Sequence, residues 1–221
     1  MVQKEKTRPR GRPRAYEPEQ ALASARDSFW HGGYAGTSMD ELSAATGMNR
    51  PSLYGAFGDK HAIYLETLGR YVADGRQAME QVFAAGLPLP HSLRRLYDTA
   101  LAMYLPPDSD ARGCFLIGTA ATEAVADAEV RTLLGDGLRT FDQAFEARFK
   151  LALEQGELAA GADPALLAKL ASAILHTLAV RSRAGDSRAS LRATAAAGVD
   201  MLCGAYGEAT ADETAGAHKH T

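Results

Sequence analysis

The stretch from residue 37 to residue 60 reads TSMDELSAATGMNRPSLYGAFGDK and predicts two short helices joined by a tight turn. Ser38 is followed three residues later by a glutamate, the spacing of a capping box that satisfies exposed donors at a helix start. Gly47 can adopt a left-handed conformation and end this first helix. Asn49 is a good N-cap for a second helix, and Pro51 suits its first turn. The pattern predicts a helix-turn-helix, an arrangement that enters the DNA major groove.

The second helix of this motif has a small, nearly uncharged face opposite the apolar pair Leu53 and Phe57. Such a face fits closely into a major groove about 12 Å wide. Arg50 is the residue that could grip a guanine edge, and a glycine at position 55 would let the backbone approach the bases. Lys60, in the first turn of the next helix, could pair with the phosphate backbone. We expect DNA contacts from Asn49, Arg50, Pro51, Ser52, Tyr54, Gly55 and Lys60.

A wider set of aromatic, glycine and lysine positions surrounds the motif: Phe29, Gly33, Tyr34, Gly36, Thr37, Ser38, Met39, Leu42, Gly47, Met48, Leu53, Tyr54, Phe57 and Lys60. Over about residues 16–64 this set resembles the N-terminal domain of the TetR/AcrR repressors, which are bacterial one-component transcriptional regulators. The resemblance implies that Thr37, Tyr54 and Lys60 contact phosphates and that residues 49–55 lie in the groove. It also implies a homodimer that binds double-stranded DNA.

The N-terminal arm is a second DNA-binding signal. Residues 1–14 hold six basic residues and one acid, a net charge of +5, so the remaining residues carry −8 of the total of −3. Within the arm, Arg10 and Arg12 flank Gly11 between two prolines, which resembles an AT-hook that lies in a narrow A·T-rich minor groove. The alternative is a disordered, solubilising tail. Beside a helix-turn-helix we favour the DNA-binding interpretation.

The rest of the chain predicts helices and no sheet, because no segment shows sustained period-two alternation. Glycines, prolines and apolar periodicity place further helices at 18–32, 60–85, 92–105, 114–126, 128–155, 164–183 and 187–206. The predicted fold is all-α, with a three-helix DNA-binding domain and a larger helical ligand-binding and dimerisation domain. The predicted divisions are a disordered basic arm at 1–15, the DNA-binding domain at 16–62, the regulatory domain at 63–207 and a disordered tail at 208–221.

Several classes of protein are disfavoured by composition. The 11-residue uncharged run at 170–180 is too short for a bilayer, which needs about 20 residues, and no secretory signal precedes the arm. Two cysteines make neither a disulfide framework nor a zinc site, and His218 and His220 alone do not bind a metal. We therefore expect a cytoplasmic protein without membrane, metal or cofactor.

The last two long helices each carry a narrow apolar face with small residues that permit close helix packing. One interpretation is an intramolecular core, and the other is a symmetric four-helix interface between two protomers. Dimerisation has a physical motive, because two reading helices recognise half-sites spaced by turns of about 34 Å. The predicted interface residues are Leu167, Leu170, Ile174, Leu178, Leu191, Ala195, Gly198, Leu202 and Tyr206.

The middle helices have more aromatic and sulfur-containing residues than a simple core requires. Each of these residues belongs either to the core or to a pocket for a small, largely apolar effector. Tyr97 and Tyr104 are favoured for the pocket because a buried hydroxyl needs a partner, and Glu123 because a buried acid does too. The predicted ligand-binding residues are Tyr71, Tyr97, Met103, Tyr104, Cys114, Phe115, Glu123 and Phe145.

Cys114 raises an alternative function, the sensing of oxidants or electrophiles. At a predicted helix start and beside Arg112, its thiol pKa would be lowered. The competing interpretation is a small buried hydrophobic residue. Cys203 and His176 are predicted to be packing residues, the histidine with its hydrogen bonds satisfied.

Two further functions bear on the interpretation. An enzyme would need a nucleophile and base, a phosphate loop or a zinc-binding histidine motif in recognisable context, and none is found. An architectural A·T-rich DNA binder would use the arm but would not need some 150 additional helical residues. The sequence therefore predicts a transcriptional regulator, with a repressor favoured, that an unknown small molecule releases from a palindromic operator.

Overall fold

The computed structural model describes residues 17–108 and 110–204, which form nine α-helices and no strand. The helices are α1 (Pro18–Gly36), α2 (Met39–Thr46), α3 (Arg50–Phe57), α4 (Lys60–Phe83), α5 (Leu89–Tyr104), α6 (Ala121–Glu123), α7 (Ala128–Glu154), α8 (Pro164–Arg183) and α9 (Arg188–Gly204). A π-helical turn, Leu116–Ala120, leads directly into α6. The all-α prediction is confirmed.

Helices α1 to α3 form a small N-terminal unit around Phe29, Leu42 and Leu53, which are fully buried. Gly33 has φ 72° and ψ 174°, so the regular helix of α1 breaks at the predicted glycine pair before one more turn follows. The capping box of Ser38 is present, with both of its hydrogen bonds formed. Gly47 ends α2 in the left-handed conformation at φ 67°. Local signals in the sequence therefore determine the helices of this unit.

The long helix α4 joins the N-terminal unit to the rest of the molecule. The side chain of Asp59 caps its start by accepting from the backbone N–H of Ala62 at 2.9 Å. Helix α4 packs against α1 at one side and against α7 at the other. Any shift of α4 therefore reaches both units.

Helices α5 and α7 to α9 form the larger unit, in which α8 packs between α7 and α9 and α9 packs on α5. By length and composition alone, α8 could cross a membrane, but 44% of its apolar window is buried inside this fold. Leu167, Ala171 and Leu178 are among its buried residues. The apolar composition of α8 thus serves a core helix.

The short helix predicted at 114–126 is present as a continuous helical segment over 115–123, but its middle, Leu116–Ala120, is π-helical and only the last three residues form α6. Arg183 from α8 donates to the carbonyl of Gly118 in this turn at 3.1 Å. A long-range contact of this kind has no local signal in the sequence.

Candidate functional site

Helix α3 presents one face to solvent and buries the other. The Asn49 side chain accepts from the backbone N–H of Ser52 at 2.9 Å, which fixes the helix start as predicted. Leu53 is fully buried, whereas half of the Tyr54 surface is exposed. A Cβ added at Gly55 would meet nothing within 4 Å. The exposed face is formed by Arg50, Pro51, Ser52, Tyr54, Gly55 and Ala56.

Arg50 is paired with Asp40 of α2 in a two-point ion pair. Its Nε donates to Asp40 Oδ1 at 2.7 Å, and a terminal nitrogen contacts the second carboxylate oxygen. Both side chains are exposed, so the pair is accessible to a competing partner. To hydrogen-bond a guanine edge, the Arg50 guanidinium would have to replace its hydrogen bonds to Asp40 with bonds to the base, or divide its donors between the two.

Lys60 lies at the contact of α1 and α4. Its Nζ donates to the backbone carbonyls of Tyr34 and Thr37, each at 2.9 Å, and lies 4.2 Å from the centre of the Tyr34 ring. An ammonium group has three donors, so one remains for a phosphate. Lys60 therefore also has an intramolecular role, which is to hold the end of α1 against the start of α4.

The predicted phosphate contact of the Thr37 side chain is wrong. This side chain is buried, and its hydroxyl donates to the carbonyl of Gly33 at 2.7 Å. A hydroxyl committed to the broken end of α1 cannot reach a phosphate. Arg10 and Arg12 of the arm lie outside the described residues.

Two side-chain contacts tie the start of α4 to the larger unit. His61 Nε2 lies 2.6 Å from an oxygen of Asp127, the residue that also caps α7. Hydrogen bonds from the first turn of α7 and from His61 hold the pKa of Asp127 below its usual value. The Tyr64 hydroxyl donates to Thr119 at 2.8 Å, and burial raises its pKa to about 12. None of these contacts was predicted from the sequence.

A cavity of about 280 Å³ lies between the two units. Trp30 of α1 forms part of its wall, with Tyr71 of α4, Met103 of α5 and Leu175 of α8. The Trp30 ring stacks under the guanidinium of Arg112 at 4.1 Å, and its Nε1 donates to the Arg112 carbonyl at 2.9 Å. An occupant of this cavity would contact both the DNA-reading unit and the larger unit.

Half of the predicted ligand-binding residues line this cavity: Tyr71, Met103, Tyr104 and Cys114. Tyr97, Phe115 and Phe145 do not line it and are wholly buried in the core. The Tyr97 hydroxyl has a partner without any ligand, since it donates to the carbonyl of Ala171 at 3.1 Å. Glu123 also lies away from the cavity, because it ends α6 near Tyr34 and Tyr64. For these four residues the predicted placement is wrong.

Cys114 is less acidic than its position in the sequence suggested. It precedes the π-helical turn and is buried, and burial raises the pKa of its thiol. Its Sγ accepts from the hydroxyl of Tyr71 at 3.2 Å. Arg112 stacks on Trp30 instead of supporting a thiolate. The predicted lowering of the thiol pKa is therefore wrong, since desolvation outweighs the nearby donors.

We expect alkylation of Cys114 by iodoacetamide to be slow at pH 7 and to keep rising above pH 9. The thiolate is the reactive form, and a raised pKa lowers its fraction at any pH below that value. The rate is measured by mass spectrometry of the peptide in Cys203→Ser protein. The guanidinium-unfolded chain is the control. A rate that levels off below pH 8 in the folded protein would show an activated thiol.

Other residues of the cavity wall were not predicted from the sequence. Arg26 and Trp30 come from the first helix, and Asp74, Arg112 and His176 are further polar members of the wall. No local signal in the sequence marks Trp30 as a cavity residue, because it is buried beside Phe29 in the same core. His176 was predicted to have satisfied hydrogen bonds, but its Nε2 is buried without a partner in the described part of the chain.

Helix α8 has a second, largely apolar face that points away from the chain's own core, and α9 has an exposed stripe of small residues that ends at Met201. On α8 this exposed stripe consists of Leu166, Leu170, Ala173, Thr177 and Val180, and on α9 of Ser190, Thr194, Ala197 and Met201. The exposed fractions are 49% for Leu166, 48% for Leu170, 55% for Val180 and 73% for Met201. Their spacings of three and four residues place each set on one helix face.

Most of the predicted dimer residues lie elsewhere. Five of them are buried within their own chain: Leu167, Leu178, Leu191, Ala195 and Leu202. Ile174 and Gly198 face each other where α8 meets α9, because a Cβ on Gly198 would lie 2.6 Å from Ile174 Cδ1. The five buried residues are intramolecular packing residues, which corrects their assignment to the interface. Ile174 and Gly198 are partly exposed, and their place in an interface stays a prediction. Leu170 remains on the exposed stripe, and Tyr206 lies outside the described residues.

Comparisons with known proteins agree with this architecture. Residues 21–67 match the model of bacterial regulatory proteins of the tetR family, and residues 90–197 match a tetracyclin repressor-like C-terminal domain. The chain is 26% identical to the transcriptional repressor ComR of Escherichia coli over 80% of this chain and 85% of ComR. It is 31% identical to the repressor BdcR of the same organism over 53% of this chain and 59% of BdcR.

A solved structure of the TetR family regulator CifR, a cysteine mutant in complex with a 26-base-pair operator DNA, has the same fold. It superposes with a TM-score of 0.73 and 28% identity, covering 85% of this chain and 98% of CifR. The two family models, the helix-turn-helix and the helical second domain lead to one conclusion. The chain belongs to the TetR family of bacterial regulatory proteins, which are DNA-binding transcriptional regulators.

Proposed function

We propose that two copies of this protein bind one palindromic operator and repress transcription, with α3 of each copy in the major groove. The observation that carries this proposal is the exposed, small-residue face of α3, centred on Gly55 and bordered by Tyr54. Within that face, Arg50 is the side chain able to read a guanine edge, and Ser52, Tyr54 and Lys60 are the proposed phosphate contacts. The protein acts by binding alone, in the cytoplasm, and not as an enzyme.

The exposed stripe of α8 and α9 is the proposed dimer surface. Its apolar members are large and solvent-exposed in the single chain, which is unusual unless another surface covers them. Small residues between them, Ala173, Thr177 and Ala197, permit close approach of a second helix pair. A two-fold axis through this stripe would pair it with itself, as a symmetric dimer requires.

The cavity supports release of the operator by a small molecule. Trp30 comes from the helix that packs behind α2, and Tyr71 lies on α4, whose first turn holds Lys60. A ligand that binds more tightly to one position of α1 and α4 than to another would change the spacing between the α3 helices of the two protomers. Differential contact with these two helices is the proposed basis of regulation.

The proposal is tested by selecting bound sequences from random DNA and footprinting the product. We expect protection of one short palindrome at a protein concentration well below that needed for unrelated DNA. Broad protection of A·T-rich DNA would instead indicate an architectural binder that relies on the arm. Compounds are then screened for release of the selected site.

Deleting residues 1–14 should weaken operator binding and flatten its salt dependence. Each lost phosphate contact removes about one unit from the slope of log K against log salt. The measurement is a salt titration of operator affinity by fluorescence anisotropy. A variant with Arg10 and Arg12 replaced by glutamine separates the minor-groove contacts from the other charges of the arm. An unchanged slope after deletion would make the arm a passive tail.

A further inference from the structure

Two buried polar atoms on α8 have no hydrogen-bond partner within residues 17–108 and 110–204: Ser172 Oγ and His176 Nε2. They are four residues apart and therefore lie on the same helix face. His176 also lines the cavity, beside Leu175. Buried polar groups in folded proteins are nearly always paired, so an unpaired one at a cavity wall suggests a missing partner.

Three hydroxyl-bearing side chains of the cavity already have partners. The Tyr71 hydroxyl donates to Cys114, and Tyr104 is hydrogen-bonded to the same sulfur. Thr99 donates to the carbonyl of Arg95 at 2.9 Å. Asp74 also lines the cavity, but it is exposed to solvent, so the imidazole of His176 is the buried polar group at this wall that has no partner among the described residues.

The cavity does not suit an anion. Arg26 and Arg112 lie against Trp30, and both are close to Asp27, at 3.2 Å and 3.7 Å. Arg112 also donates to the carbonyl of Met103 at 3.1 Å. Burial lowers the pKa of His176, against the opposing charge of Asp142, so the imidazole is neutral near pH 7. The exposed carboxylate of Asp74 also lies in the wall, where its negative charge opposes an anion. Besides Gly75, the remaining wall consists of apolar side chains: Trp30, Ala78, Met79, Leu96, Ala100, Met103, Phe141 and Leu175.

Size narrows the class of occupant further. The cavity volume of about 280 Å³ is nearly twice that of the engineered apolar cavity of about 150 Å³ that binds benzene. Two fused rings therefore match the space better than one ring or a long chain.

We propose that the effector is a neutral molecule of about two fused rings with one hydroxyl or carbonyl group, and that His176 Nε2 hydrogen-bonds that group. A neutral imidazole can accept from a hydroxyl or, in its other tautomer, donate to a carbonyl. The proposal rests on the proposed function only in treating the occupant of this cavity as the effector.

The test is calorimetric titration of the full chain at pH 7, without DNA, with 2-naphthol, naphthalene and 2-naphthoate. We expect 2-naphthol to bind about tenfold more tightly than naphthalene, because naphthalene has no polar atom to pair with the buried nitrogen. We expect 2-naphthoate to bind more weakly than 2-naphthol, since its carboxylate loses hydration without gaining a cation. Failure of all three to bind, or tighter binding of the anion, would overturn the proposal.

His176→Phe should reduce the preference for 2-naphthol over naphthalene to near one. Thr99→Val is the control, because it removes a cavity hydroxyl that already has a partner, and it should keep the tenfold preference. Circular dichroism melting checks that both variants fold. A preference that survives His176→Phe would overturn the proposal.

A measurement on the wild-type protein guards against a variant that does not fold. Long-range ¹H–¹⁵N spectra of the histidine rings should show a shift at one Nε2 with 2-naphthol and none with naphthalene, and this signal should be missing in His176→Gln. No shift with 2-naphthol would contradict the proposed contact. Because these experiments contain no DNA, their failure would leave operator binding, measured separately, unaffected.

Discussion

Leu170→Asp should convert the protein to a monomer and weaken operator binding by about 10²- to 10⁴-fold. Leu170 lies within the exposed stripe of α8, and two-fold symmetry would bury one new carboxylate on each protomer within the same apolar contact. Once the protomers separate, each N-terminal unit binds its half-site alone. It then loses the high effective concentration that linkage of the two units supplies, which raises affinity by about 10²- to 10⁴-fold.

The matched control is Leu151→Asp. Leu151 on α7 is 41% exposed, close to the 48% of Leu170, but it lines a groove with Phe83 at the end of α4 and does not lie on the exposed stripe. Light scattering gives the mass of each variant, and fluorescence anisotropy gives its operator affinity. A Leu170→Asp protein that stays dimeric, or a monomer that retains full affinity, would rule out the proposed interface.

Gly55→Glu should lower operator affinity by about 100-fold or more while the protein stays folded. A side chain at this position meets no neighbour within 4 Å, so the fold can accept it. In the proposed complex it would place a carboxylate against the phosphates and bases of the groove, and like charges across an interface cost several kcal/mol.

Gly55→Ala distinguishes an effect on folding stability from an effect on DNA binding at the same position. In a helix, alanine is more favourable than glycine by about 1 kcal/mol, so this variant should have a higher melting temperature than the wild type. Its operator affinity should change far less than that of the glutamate variant. Thermal melts and anisotropy titrations check both. If the glutamate variant and the wild type had equal operator affinity, α3 would not lie in the groove as proposed.

The DNA-reading unit was predictable because its signals are local. The capping box of Ser38, the left-handed Gly47 and the N-cap Asn49 each determine the backbone within a few residues, and all three are present. The Thr37 side chain was misassigned because its burial depends on the broken end of α1, a feature of three-dimensional packing. Local signals give the position of a helix but do not tell which of its flanking side chains reach solvent.

The dimer face was less predictable, because α8 is apolar on more than one side. Leu166 and Leu167 are adjacent in sequence, yet the first is exposed and the second is buried. Periodicity identifies a face but does not tell whether the chain's own core or a partner covers it. The cavity wall could not be predicted from periodicity either, because Trp30 lines the cavity only through the packing of α1 on the larger unit.

The presence of Arg26 and Trp30 in the cavity wall has a consequence for evolution and engineering. Both residues belong to the helix that supports the recognition motif, so a mutation there that alters the choice of inducer would also alter promoter occupancy in the absence of inducer. Mutations of the cavity residues that α5 and α8 contribute would change the choice of ligand with less effect on DNA binding. A mutant library for a biosensor should therefore vary positions such as Leu96, Ala100 and Leu175 and keep α1 unchanged.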